Sequence, residues 1–93
     1  MDKRNHGKIE IRGVVWSNKN KTPIAKALVY LKTISNEIVE EIDTDKEGRF
    51  FLKKSNEFSY LIQADYIGSI SEQYYIPRNQ KSAFLSLYIN DKG

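Results

Sequence analysis

Apolar and polar residues alternate one by one in short runs along this chain, and clusters of turn-forming residues part the runs roughly every eight to twelve positions. Successive side chains of an extended backbone point to opposite faces, so this period of two is the mark of half-buried strands. The first run is Lys8 to Trp16, with Ile9, Ile11 and Val15 on one face and Glu10 and Arg12 on the other. Further runs are Ala27 to Ile34, Ile38 to Asp43, Arg49 to Lys53, Phe58 to Tyr66, Ser69 to Ile76 (stopped by Pro77) and Ala83 to Ile89. No segment keeps apolar residues at helical spacing for three turns, so no long helix is predicted.

Seven such runs predict an all-β, Greek-key sandwich built as a single domain over residues 8–90, with residues 1–7 as a flexible N-terminal arm. A chain of 93 residues buries only about 60–65% of its unfolded surface, so the core is thin. The alternation assigns to that core Ile11, Val29, Leu31, Phe50, Leu52, Tyr60, Ile62, Leu85 and Leu87, with Phe58 and Ala64 on the inward face of the fifth run.

Three stretches carry a resemblance. They are Ile11-Arg12-Gly13-Val14-Val15 followed by Pro23 to Leu31, then Thr44-Asp45-Lys46-Glu47-Gly48-Arg49-Phe50-Phe51-Leu52, then Tyr60 to Ala64 with Ile67-Gly68. In this order they resemble the carboxypeptidase regulatory-like domains, whose fold is a seven-stranded sandwich of the transthyretin (prealbumin) type. Lys26 stands where that family tends to carry glycine, and Ser69 where it often has tyrosine. The resemblance implies a non-catalytic module of secreted or cell-surface proteins, used for spacing, folding support or adhesion. Collagen-adhesin B-type repeats share the fold and often hold a lysine–asparagine isopeptide bond. Its lysine belongs on the first strand, where this chain has Val14, Val15 and Trp16; Lys8 and Asn90 are the remaining candidates.

The inventory of reactive side chains is short. The chain has no cysteine, so disulfides, thiolate metal sites and cysteine nucleophiles are excluded. His6 is the lone histidine, which leaves no imidazole pair for zinc and no assembled triad. Asp43-Thr44-Asp45-Lys46-Glu47-Gly48 imitates the first half of a calcium loop, but the closing carboxylate position is Lys54. The segment reads instead as a structural turn. Glu40 and Glu41 are adjacent on a strand and point to opposite faces, so they form no acid–base pair. The ureide-hydrolysing relatives of the transthyretin fold end in tyrosine-arginine-glycine-serine, whereas this chain ends in Tyr88-Ile89-Asn90-Asp91-Lys92-Gly93. No enzyme, metal or cofactor is read from these residues.

What remains is a surface. The same alternation that buries the core turns Val14, Trp16, Leu28, Tyr30, Phe51, Leu61, Phe84 and Tyr88 outward. In the transthyretin-type arrangement the first, fourth and last strands share a sheet, which gathers Val14, Trp16, Phe51, Phe84 and Tyr88 into one candidate interaction patch. The expected partner is another protein, a neighbouring domain or a second copy of the chain, with a surface glycan as a further option. The net charge of +3 raises nucleic acid as the alternative, with Trp16 and the tyrosines as stacking platforms between lysines. The lysines are dispersed, however, and nucleic acid is not the expected partner. No stretch approaches the ~20 apolar residues of a membrane helix, and the basic start at Met1 to Lys8 has no apolar run behind it, so neither insertion nor a leader is read there. The compartment is left open by the residues themselves.

Overall fold

The computed structural model describes residues 7–90. It is all-β, with strands β1 (Lys8–Ser17), β2 (Leu28–Lys32), β3 (Ile38–Asp43), β4 (Arg49–Ser55), β5 (Tyr60–Tyr66), β6 (Ser69–Ile70), β7 (Tyr74–Ile76) and β8 (Ser82–Ile89). One sheet has the order β4-β1-β8; the other runs β3-β2-β5-β6, with β7 also paired to β5. β8 lies parallel to β1, and every other pairing is antiparallel. Of the arm expected over residues 1–7, all but Gly7 lies outside the described residues, as does His6.

The strand count is eight, not seven, because the run from Ser69 to Ile76 is broken. Ser71 breaks it. Its hydroxyl accepts the Ala64 amide at 2.9 Å, taking the place of a ladder carbonyl, and donates to the Glu72 carbonyl at 2.9 Å. One extra residue is absorbed there, so the register against β5 shifts between Asp65↔Ile70 and Ile62↔Tyr74. A bulge of this kind bends a strand and interrupts its pairing.

The two sheets bury Ile9, Ile11, Val15, Ala27, Val29, Leu31, Phe50, Leu52, Tyr60, Ile62, Ala64, Ile76, Leu87 and Ile89 between them. Eight of the nine residues assigned to the core by alternation are buried, and Leu85 is half-buried against them. Phe58 is the exception on the inward face. β5 starts two residues later than expected, at Tyr60, and Phe58 is 61% exposed in the preceding turn.

The Thr44–Gly48 turn locks the top of the sandwich. The buried Thr44 hydroxyl donates to the Ile24 carbonyl at 2.7 Å and accepts the Ala27 amide at 2.9 Å, tying the lead-in to β2 onto the turn. Asp45 Oδ1 accepts the amides of Glu47 (2.9 Å) and Arg49 (2.8 Å). Those amides, Arg49 foremost, hold its carboxyl below the usual value. Gly48 takes φ +75°, and a Cβ there would lie 2.8 Å from Pro23 Cβ. Turn geometry accounts for the carboxylate, the glycine and the threonine together.

Candidate interaction surface

β1 is the centre strand of the three-stranded sheet, and its register sets out the outer face in rows. Arg12 pairs with Phe51 on β4 and Phe84 on β8; Val14 pairs with Arg49 and Ser86; Trp16 pairs with Tyr88. Paired residues share a face, so all five residues of the sequence-derived patch lie on one side of one sheet. Rows on one face are about 6.6 Å apart along the strands, and the middle row, Arg49–Val14–Ser86, stands between the two that carry the aromatic rings.

Its residues differ in how much they offer. Phe84 is 73% exposed, Phe51 47% and Tyr88 46%, whereas Val14 and Trp16 are half-buried. The indole Nε1 of Trp16 is covered and has no hydrogen-bond partner among the described residues. Phe51 and Phe84 therefore form the accessible row, with Tyr88 and the half-buried Trp16 two rows along, roughly 13 Å away.

Two arginines belong to this face. The Arg12 guanidinium lies 4.6 Å from the centre of the Phe51 ring, a cation–π contact, and also pairs with Glu10 at 3.3 Å. Arg49 pairs with Glu47 at 2.9 Å and Asp45 at 3.6 Å. Arg12, Val14, Arg49, Phe51 and Phe84 line a shallow groove of about 340 Å³. The arginines were missing from the sequence-derived patch, although the alternation that placed Val14 outward places Arg12 outward as well.

The other sheet presents a different outer face. Tyr30 there lies beside Asp65 and Glu41; burial first, then these two charges, hold its phenol above the ordinary value. Lys32 sits over Tyr30 and donates to Gln63 at 3.2 Å. Leu28, Tyr30 and Leu61, expected outward, are half-buried, whereas Ile38, Ile70 and Tyr75 on the outer strands of the same face are exposed. A second exposed apolar cluster was not anticipated. Ile34, Val39 and Phe58 line an end groove of about 550 Å³ beside Arg78 and Glu57. The only sequence signal for it was Phe58 lying next to a turn.

The remaining candidates are structural. Glu40 faces the core side of edge strand β3 and ion-pairs with Lys54 on edge strand β4, closing the gap between the sheets there. Lys54 thus has a partner in the fold, at the position where a calcium loop would need a carboxylate. Among the described residues no three of His, Cys, Asp and Glu lie together as a metal set would require. Lys8 starts β1 at one end of the sandwich while Asn90 stands beside Asn18 at the other, its Oδ1 accepting from Asn18 Nδ2 at 2.7 Å. Ten residues of strand, roughly 33 Å, part them, so they cannot be joined. The inward positions of this parallel pair are Ile11, Gly13, Val15 and Ser17 facing Ala83, Leu85, Leu87 and Ile89, with no lysine or asparagine.

No family model matches the sequence, and no curated protein does. Solved structures do. A variant of the shaft pilin SpaA from Lactobacillus rhamnosus GG superposes with a TM-score of 0.70 at 11% identity, over 92% of this chain and 46% of the pilin. The Bacillus anthracis TIE protein gives 0.68 at 11% identity, over 92% of this chain and 16% of that one. Chlorocatechol 1,2-dioxygenase from Pseudomonas putida also gives 0.68 at 11% identity, covering 98% and 63%. The chain thus spans about half the length of the pilin it matches. What these likenesses show is the fold: a β-sandwich that recurs in pilin shafts and inside an enzyme.

Proposed function

We propose that this chain is a non-catalytic sandwich module of the carboxypeptidase regulatory-like kind. It works by contact with another protein or a neighbouring domain through the outer face of the β4-β1-β8 sheet. The observation that carries this reading is the row Phe51–Arg12–Phe84, two exposed rings flanking a guanidinium. Aromatic residues and arginine supply most of the binding energy at protein interfaces, since they remove large areas from water at small entropic cost. The pilin-like sandwich supports a structural or adhesive role at a cell surface or in a secreted protein. Because Lys8 and Asn90 stand at opposite ends, a polypeptide continuing on both sides would run through residues 8–90 lengthwise, as suits a spacer. A nucleic-acid role draws no support from this face, where Arg12 and Arg49 are each paired with carboxylates.

A photo-crosslinking phenylalanine analogue at position 51, introduced in the cell that makes the protein, tests the reading. A discrete adduct to one polypeptide is expected, lost on adding Phe84→Ser and absent when the analogue replaces Ile34. Equal adducts from both positions would sink the reading. Binding of a single-stranded oligonucleotide with a steep loss on adding salt would favour the nucleic-acid alternative.

A further inference from the structure

Among the described residues, each sheet edge is protected except one. β3 carries Glu40, Glu41 and Asp43, β4 carries Arg49, Lys53 and Lys54, and the Glu40–Lys54 pair bridges those two edges. The edge formed by β6 and β7 is short and broken at Ser71. Charges, bulges and short strands are the usual means of stopping a strand edge from pairing with another chain. β8 has none of them. It is eight residues long, Ser-Ala-Phe-Leu-Ser-Leu-Tyr-Ile, with no charge, and among the described residues it pairs only with β1.

The backbone polarity of the open side follows from the register. The carbonyls of Lys81 and Ile89 accept from Glu10 and Asn18, on the β1 side. Backbone groups alternate sides along a strand, so the odd positions of β8 spend their bonds on β1. Ser82, Phe84, Ser86 and Tyr88 then aim their N–H and C=O groups at the open edge.

We propose that this edge pairs antiparallel with the β8 of a second copy, about a twofold axis through Ser86. Residues whose amides and carbonyls face the edge sit opposite one another in hydrogen-bonded pairs. Centring on Ser86 uses the whole strand, from Ser82 opposite Asn90 of the second copy to the reverse. It sets Phe84 opposite Tyr88 of the second copy twice on the outer face, with serine against serine between them. On the inner face Leu85 meets Leu87 of the second copy, again twice. Aromatic pairs across antiparallel strands are stabilising, and no like charges meet. The contact is the same patch on both chains, so it closes at two copies. The result is one six-stranded sheet with two outer-face rows side by side, and it stands independently of what those rows bind.

The absence of cysteine allows a clean test. Ser86→Cys places two thiols at the axis, about 5.5 Å apart at Cα, within disulfide reach. Ser82→Cys puts its two thiols roughly 26 Å apart, out of reach. Ser86→Lys sets two ammonium groups against each other. The expected results are a wild-type dimer by sedimentation, association weakened more than about tenfold in Ser86→Lys, and a covalent dimer under mild oxidation from Ser86→Cys but not Ser82→Cys. Circular dichroism checks that each variant is folded. A wild type that stays monomeric at millimolar concentration overturns the proposal, as does a dimer indifferent to Ser86→Lys or equal cross-linking from both cysteines. None of these results depends on Phe51, whose adduct tests the outer-face reading separately.

Discussion

The ring of Phe50 lies across Gly13. The two residues are register partners on β4 and β1, and a Cβ on Gly13 would sit 2.5 Å from Phe50 Cζ and 2.4 Å from the Leu85 carbonyl oxygen. Glycine is what lets the ring lie flat over the middle strand and fill the core. Phe50→Ala is expected to cost roughly 3–5 kcal/mol, from lost transfer energy and the cavity left behind. Gly13→Ala is expected to destabilise by overpacking, about 1–3 kcal/mol. The double variant should cost less than the two added together, because the ring clash disappears, yet more than Phe50→Ala alone, because the Leu85 carbonyl does not move. Urea midpoints of the four proteins measure this; strict additivity would show that ring and glycine do not touch.

Asp45 gives the fold a defined response to acid. Its folded pKa is lowered by the amides of Arg49 and Glu47 and by the Arg49 charge. A carboxylate with a lowered folded pKa stabilises above its unfolded value, about pH 4, and loses that contribution as pH falls through the folded pKa. Asp45→Asn keeps an oxygen for the turn but not the charge. The melting point of the wild type should exceed that of Asp45→Asn at neutral pH, and the two curves should converge below about pH 4. A gap that persists at pH 2 would mean that geometry, rather than charge, holds the turn.

Two surface positions carry avoidable strain. Lys26 has φ +60° and Ile67 φ +50°, the left-handed region that β-branched residues disfavour most. Ile67 is also 85% exposed, so packing does not compensate it. With Gly68 at φ +81° it forms a two-residue hairpin turn, for which Asn-Gly is the preferred pair. Ile67→Asn is expected to raise stability by about 1 kcal/mol, and Lys26→Gly by a smaller amount since glycine also loses more entropy on folding. Thermal denaturation of both variants checks this. The left-handed backbone at Lys26 also supplies the physical reason why glycine suits that position in the domains this sequence resembles.

The fold was legible because strand alternation is a local property with one solution per strand. Val29 and Leu31 are inward, Tyr30 outward, and no tertiary information is needed to say so. The break at Ser71 was not legible, because it depends on a hydroxyl from one strand finding the Ala64 amide of another. The patch was half legible. Alternation puts Phe51, Phe84 and Arg12 on outward faces, but only the register shows that Arg12 stands between the two rings. Exposure within that face was illegible, since Trp16 and Phe84 both point outward and only packing covers the first.

Trp16 separates packing from function on this surface. Its Nε1 is covered without an acceptor among the described residues, and an unmet buried donor costs on the order of 1–3 kcal/mol. Phenylalanine keeps much of the ring area against Tyr88 and discards that donor. Trp16→Phe is therefore expected to leave stability unchanged or raise it by up to about 1 kcal/mol, whereas Trp16→Ser, which also removes the ring, should lower it by more than about 2 kcal/mol. Denaturant midpoints of the three proteins decide between these outcomes. If Trp16→Phe is as damaging as Trp16→Ser, the indole N–H has an acceptor in solution, and Trp16 is held by that bond rather than by its packing. If stability behaves as expected, any loss of partner adducts in Trp16→Phe reports on recognition alone, because the fold beneath it has not changed.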